Sequence, residues 1–282
     1  MKAGVVGAGL MGAEIALVFA LGGIPVVLHD NDDAALEQAL ARLAALLARG
    51  VERGRFGADQ AGQALAIITP AYGIAALSDC DFVTEAVSEA LEVKNAVLRS
   101  LDVLCRDDCV LASNTSTLPI STLAAALSPG RRPNFLGTHY FSPVSLMKLV
   151  EVVPGFETDP VVVARVHALL LQLGKTPVAI KDVAGFAVNR LLHAMLIEAV
   201  RLVDEGVASP EDIDAACRLG LGHPIGPFAL MDKVSSSLCL QVQEILHDTY
   251  GERFRPPALL KQRVAAGLSG GKGRAGWIGE TR

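Results

Sequence analysis

The stretch Ala3-Gly4-Val5-Val6-Gly7-Ala8-Gly9-Leu10-Met11-Gly12 sets an apolar run against glycines spaced G-x-G-x-x-G, and a helical pattern from Ala13 to Leu21 follows. A strand that turns tightly into a helix needs that order. Gly7 permits the turn, Gly9 lets bare backbone approach a pyrophosphate, and Gly12 lets the helix lie against the strand. The unpaired amides of the helix N-terminus then face the phosphates. In a chain with 27 glycines the pattern alone carries little weight, and its surroundings strengthen it. A second apolar run, Ile24 to Leu28, ends in His29-Asp30, and Asp30 lies 18 residues beyond Gly12. That is close to the roughly 20 at which a carboxylate meets the adenosine ribose hydroxyls. Asn31, Asp32 and Asp33 follow, with no Arg or Lys. A 2′-phosphate would be repelled there, so the expected cofactor is NAD rather than NADP.

Length and composition narrow the class. The chain has 282 residues, room for two domains, and a net charge of −5 argues against a general nucleic-acid binder. The apolar run Ile15 to Leu28 is shorter than a membrane span of about 18 to 20 residues, and Gly22, Gly23 and Pro25 interrupt it. No signal-peptide pattern is visible. Cys80, Cys105, Cys109, Cys217 and Cys239 lack C-x-x-C spacing and read as reduced thiols of a cytoplasmic protein without a zinc or other metal site.

Along the chain, Asn31-Asp32-Asp33 is a capping cluster for a helix over Ala34 to Arg53. Arg42, Arg49, Arg53 and Arg55 stud its polar side, either as a solvated face or as a landing surface for an anionic substrate tail. A short helix is expected over Ala58 to Leu65, strands at Ala66–Thr69 and Asp81–Glu85, a helix over Glu89 to Leu104, a strand at Cys109–Ala112 and a helix over Ile120 to Leu127. Strands and helices alternating at this spacing imply a doubly wound parallel sheet. Asn134 to Phe141 and Met147 to Val153 are separated by too few residues for a crossover, so they form an antiparallel pair. With the turn centred near Ser145, His139 and Glu151 each lie six residues from the centre and face each other. A helix over Asp159 to Leu173 and a strand over Thr176 to Lys181 complete an α/β, Rossmann-like domain over 1–183. From Gly185 the pattern is helical, with breaks at Gly206, Gly220 to Pro227 and Pro256-Pro257, giving an all-helical domain over 184–282. The segment Gly267 to Gly279 is expected to be mobile.

Several pieces in one order resemble the L-3-hydroxyacyl-CoA dehydrogenase family, in particular its short stand-alone members. They are Gly7-x-Gly9-x-x-Gly12, Ser113-Asn114-Thr115-Ser116, His139-Tyr140-Phe141-Ser142-Pro143 leading to Lys148-Leu149-Val150-Glu151, Gly185-Phe186-x-x-Asn189-Arg190, and Gly222-His223-Pro224-x-Gly226-Pro227. The resemblance implies that His139 is the catalytic base and Glu151 its partner, with Ser116 bonding the reacting oxygen and Asn189 holding the substrate. It also implies cofactor contacts for Leu10, Met11 and Asn114 beside the three glycines and Asp30, and places Glu85 and Lys94 near the cofactor or substrate. The chemistry agrees: oxidising a secondary alcohol needs a group to take the hydroxyl proton, and a carboxylate on the far ring nitrogen fixes the histidine tautomer. Read without the family, Ser116 could cap a helix near Pro119 and Asn189 could tie two helices together.

These features lead to an NAD-dependent 3-hydroxyacyl-CoA dehydrogenase acting on an acyl-CoA, with no membrane or nucleic-acid partner, working as a homodimer by resemblance. The alternatives are a dehydrogenase of a free 3-hydroxy acid or sugar acid, and a dinucleotide-binding sensor without turnover. A hydrolase is disfavoured because no G-x-S-x-G elbow is present. A dehydrogenase class with a Lys four residues before its Asn is disfavoured because Gly185 stands there. The chain departs from the family at Ser142, at Ser235-Ser236-Ser237, where Gly-Leu-Asp is usual, and at Gly276-Trp277-Ile278-Gly279. Ser236 or Ser237 is expected to cap a helix beginning at Leu238, and the small hydroxyls to enlarge the acyl end of the pocket.

Overall fold

The computed structural model describes residues 1–271 and 273–278, and the chain divides into two compact units, Met1–Val183 and Ala184–Arg282. The first unit runs β1 (Ala3–Val6), α1 (Leu10–Leu21), β2 (Val26–His29), α2 (Asp33–Glu52), α3 (Ala58–Ala66), β3 (Ile68–Ala71), β4 (Phe82–Glu85), α4 (Leu91–Leu104), β5 (Val110–Ser113), α5 (Ile120–Ala124), β6 (Phe135–Tyr140), β7 (Leu149–Pro154), α6 (Pro160–Gln172) and β8 (Thr176–Ala179). The second is α7 (Val188–Asp204), α8 (Pro210–Gly220), α9 (Pro227–Val234), α10 (Ser236–Tyr250) and α11 (Ala258–Ala265).

One sheet has the order β3-β2-β1-β4-β5-β6-β7-β8, and only the β6–β7 pair is antiparallel. The chain leaves β1 toward β2 and β3, then returns to the other side through β4. That reversal opens a crevice at the carboxyl ends of β1 and β4, where open parallel sheets bind ligands. The doubly wound α/β reading is borne out, and so is the antiparallel pair.

Local chemistry explains the boundaries. Asp32 caps α2 by accepting from the Ala34 amide, and Asp159 caps α6 by accepting from Val161. Helix α1 is buried from Gly12 to Ala20, since it lies between the sheet and the pair α2 and α3. A helix apolar all round belongs in a core. The strand expected at Ala66–Thr69 begins two residues later, because Ala66 still closes α3. Pro70 sits within β3, which is tolerable because β3 is the edge of the sheet.

The second unit has its own core of Leu196, Val200, Phe228, Met231, Cys239, Leu260 and Trp277. Two expectations are corrected here. Helix α10 starts at Ser236, and its cap is Ser235, whose hydroxyl accepts from the Leu238 amide. Ser236 is fully buried and its hydroxyl accepts from the Trp277 indole N–H at 2.9 Å. The described end of the glycine-rich segment is fastened rather than loose: the Asp232 carboxylate accepts from the amides of Trp277 and Ile278 at 2.8 and 2.9 Å. Lys272 and Gly279 lie outside the described residues.

Candidate active site

The crevice is built first from glycine. Gly7 has φ +101° and sits tight against the Ala86 carbonyl, while a Cβ on Gly12 would run into the Gly7 carbonyl. Around Gly9 there is open space, so its backbone and the adjoining start of α1 at Leu10 and Met11 can take a pyrophosphate. Asp30 follows β2, and its carboxylate accepts from the amides of Ala8 at 2.7 Å and Asp32 at 3.0 Å. It thereby ties the end of β2 to the glycine loop. Beside it lies a cleft of about 350 Å³ lined by Val6, Gly7, Asp30, Tyr72, Ile74 and Val93 among others. An open glycine loop at a helix N-terminus, a carboxylate after β2 and a cleft with apolar walls fit a dinucleotide.

On the other side of β5 lies the proton-transfer group. In the β6–β7 register His139 stands opposite Glu151, as the symmetric spacing about Ser145 predicts. Both side chains are buried, and His139 Nδ1 lies 2.7 Å from Glu151 Oε2. A carboxylate can only accept there, so Nδ1 carries the proton and Nε2 presents its lone pair. The Ser116 hydroxyl lies 3.1 Å from that Nε2, and the Phe141 ring packs on the imidazole with centroids 4.5 Å apart. Ser116 does not cap α5, because Asp182 fills that role by accepting from the amides of Ile120 and Ser121.

Ser116 sits on a loop of three hydroxyl residues, Thr115-Ser116-Thr117, and sequence reasoning passed over the group that shapes it. Glu89 Oε1 accepts from the Thr115 hydroxyl at 2.6 Å, the Ser116 amide at 2.8 Å, the Thr117 amide at 2.9 Å and the Thr117 hydroxyl at 3.0 Å. Its other oxygen faces the Lys94 ammonium at 3.3 Å. Burial works to raise the Glu89 pKa, but Lys94 and the hydrogen bonds from the loop outweigh it and hold the carboxyl below the ordinary value of 4.5. The signal was a carboxylate four residues past Glu85 and five before Lys94, in the loop between a parallel strand and the next helix.

Glu85 and Lys94, expected beside the cofactor, are buried against each other at 2.8 Å. Glu85 also accepts from the Val87 amide and the Ser113 hydroxyl. Their charged atoms are committed to protein groups, which braces the ends of β4 and β5. Asn114 is likewise engaged: its side-chain oxygen accepts from the Tyr140 amide at 2.9 Å, one residue from His139. Asn189 belongs to the second unit, half-buried in the first turn of α7. The chain reaches it through Gly185 and Phe186, both in the left-handed region at φ +70° and +46°.

Among the other expectations, Arg42 is exposed and donates to the Ala8 carbonyl at 2.8 Å. Arg49, Arg53 and Arg55 line a second cleft of about 260 Å³ with Phe56 and Pro143. Cys80, Cys105, Cys109 and Cys239 are buried; burial pushes the Cys80 and Cys239 thiols up to about 12. Among the described residues no helix is long and apolar enough to cross a membrane.

Comparison with known proteins places this geometry. Residues 2–183 match the model of the 3-hydroxyacyl-CoA dehydrogenase NAD binding domain, and residues 185–279 match that of the 3-hydroxyacyl-CoA dehydrogenase C-terminal domain. A probable 3-hydroxybutyryl-CoA dehydrogenase of Deinococcus radiodurans is 40% identical over 98% of this chain and 99% of its own length. The solved (S)-3-hydroxybutyryl-CoA dehydrogenase of Ralstonia eutropha superposes with a TM-score of 0.95 at 38% identity, covering 100% of this chain and 99% of that one. A diketoreductase described as acting on dicarbonyl compounds has a TM-score of 0.83 at 32% identity, covering 96% and 95%.

Proposed function

Because the chain belongs to the 3-hydroxyacyl-CoA dehydrogenase family, we propose that it interconverts an L-3-hydroxyacyl-CoA and its 3-oxoacyl-CoA, with His139 as the proton-transferring group. One observation carries the assignment: a buried His–Glu pair whose Nε2 meets a serine hydroxyl beside a dinucleotide crevice. NAD, when bound, accepts or returns the hydride. Gly7, Gly9, Leu10, Met11 and Gly12 would hold its pyrophosphate and Asp30 its adenosine ribose, while Glu85 and Lys94 brace the strand ends.

In the oxidation direction Nε2 takes the hydroxyl proton as the carbon loses hydride, and the Glu151 carboxylate stabilises the imidazolium that results. Ser116 donates to the reacting oxygen and so fixes it in line with Nε2. Asn114 keeps the end of β6 in place, and Asn189 orients the substrate oxygen. In reduction the same imidazolium returns its proton to the forming alkoxide.

The CoA form of the substrate is supported by the cleft with Arg49, Arg53 and Arg55, whose guanidiniums suit phosphate groups. The diketoreductase likeness keeps a second reading in view, a substrate without CoA. The exposed Leu191, Leu219 and Leu221 of the second unit support assembly of a dimer through that unit, and the free cysteines fit a cytoplasmic setting.

The test is steady-state NADH oxidation with acetoacetyl-CoA and, in parallel, free acetoacetate. The CoA thioester should be preferred, and His139→Gln should lower turnover by roughly 10²- to 10⁴-fold while NADH still binds. Turnover within about threefold of the parent would remove His139 from this role.

A further inference from the structure

The turn between β6 and β7 is gripped at its apex by two buried charges that the proton-transfer chemistry does not use. Glu14, in the second turn of α1, accepts from the Ser145 amide at 3.1 Å and from the Ser145 hydroxyl at 3.3 Å. Lys175, just before β8, donates to the Val144 carbonyl and to the Met147 carbonyl at 2.9 Å. The Val144 carbonyl and the Ser145 amide belong to one peptide unit. A buried carboxylate therefore holds its N–H end and a buried ammonium its C=O end. Glu14 is 5% exposed and Lys175 7%, so neither group is a solvated surface charge that happens to touch a loop. Burial lowers the Lys175 pKa, and the charge of Glu14 works the other way.

Placement gives this clamp its consequence. Ser145 is the centre of the hairpin from which His139 and Glu151 are equally spaced, and the apex sets how far the two strands can slide or splay. Glu14 is on the helix whose first turn adjoins the glycine loop. We propose that Glu14 is a positioning residue that ties the dinucleotide helix to the apex of the β6–β7 hairpin and so keeps His139 and Glu151 in register. The inference rests on the reading that His139 carries the proton. A shift of about 1 Å in a reacting group can cost up to ~10²-fold in rate, so loosening the apex acts on turnover rather than on cofactor affinity.

The experiment measures kcat and KM of the full chain for NADH with acetoacetyl-CoA, on protein checked for folding by circular dichroism. Glu14→Ala should lower kcat about 5- to 30-fold with KM for NADH within about threefold. Lys175→Met, which frees the other end of the same peptide unit without touching α1, should lower kcat over the same range. Glu14→Gln keeps an oxygen acceptor and should restore kcat to within about threefold of the parent. A clamp that only stabilised the fold would lower the melting temperature and leave kcat of the folded variants unchanged. Parental kcat in either folded Glu14→Ala or folded Lys175→Met overturns the proposal. His139→Gln in the same assay separates the two levels: if it keeps parental turnover the underlying reading fails, and if it alone loses turnover only the role of Glu14 fails.

Discussion

His139 acts through its two ring nitrogens, and each is assigned by a neighbour. Glu151 at 2.7 Å accepts a hydrogen bond from the Nδ1 proton, which leaves Nε2 as the acceptor beside Ser116 at 3.1 Å. Ser116 in turn depends on Glu89, which accepts four hydrogen bonds from Thr115, Ser116 and Thr117. Glu89→Ala leaves those donors without their carboxylate, so the loop should relax and kcat should fall by roughly 10- to 100-fold. Because the loss would act through Ser116, adding Ser116→Ala should cost much less in the Glu89→Ala background than in the parent. Strictly multiplicative losses would show that Glu89 acts elsewhere. The residue pairing was legible in sequence where geometry is periodic: strand alternation and a short turn are enough to set His139 against Glu151. Glu89 was not legible, because it works through a loop whose backbone path no period describes. Glu85 and Lys94 are placed near the cofactor or substrate by the family resemblance alone, and their pairing with each other, between a strand end and the first turn of a helix, follows no sequence period.

At the level of elements, the breaks carried by glycine and proline were readable, and the break between α9 and α10 was read at Leu238, two residues late and with the wrong serine as its cap. Ser235 makes that break in the left-handed region at φ +84°, without the glycine that usually marks it. Its hydroxyl then caps α10. The joint is completed from 41 residues away, where Trp277 packs on Phe228 and donates its indole N–H to Ser236. Two of the three departures from the family pattern, the serine run and the Gly-Trp ending, thus meet in one contact. The Ser236 hydroxyl is consumed inside the helical unit, and only Ser237 of the run is exposed. Ser236→Ala would leave a buried indole N–H unpaired, a loss of about 1 to 3 kcal/mol. Trp277 is the only tryptophan of the chain, so its fluorescence reports this joint directly. Urea unfolding followed by that emission should show the lower midpoint, while Ser237→Ala should leave it within about 0.5 kcal/mol.

For the whole molecule, the two units should respond to acid over different ranges, because a different titrating group acts in each: the partly exposed Glu89 in the first and the buried His193 in the second. In the first unit the Glu89 pKa lies below 4.5, so the stability it contributes is present above 4.5 and is lost as pH falls through the lower, folded value. In the second, His193 is buried on α7, its Nδ1 has no hydrogen-bond partner among the described residues, and burial pulls its pKa from 6.5 down to about 4. The sign follows from proton uptake. Below 6.5 the unfolded chain binds a proton at His193 that the folded unit refuses until about pH 4, so stability falls as pH falls across that window. The slope for one such group is on the order of 1 kcal/mol per pH unit. Between pH 6.5 and 4.5, then, His193 weakens the helical unit while the Glu89 clamp in the first unit stays charged. Urea midpoints read by Trp277 emission should drop steadily from pH 6.5 to 4.5 in the parent and far less in His193→Leu, which has no proton to take up. Equal slopes in the two proteins would mean that another group sets the acid response of the helical unit.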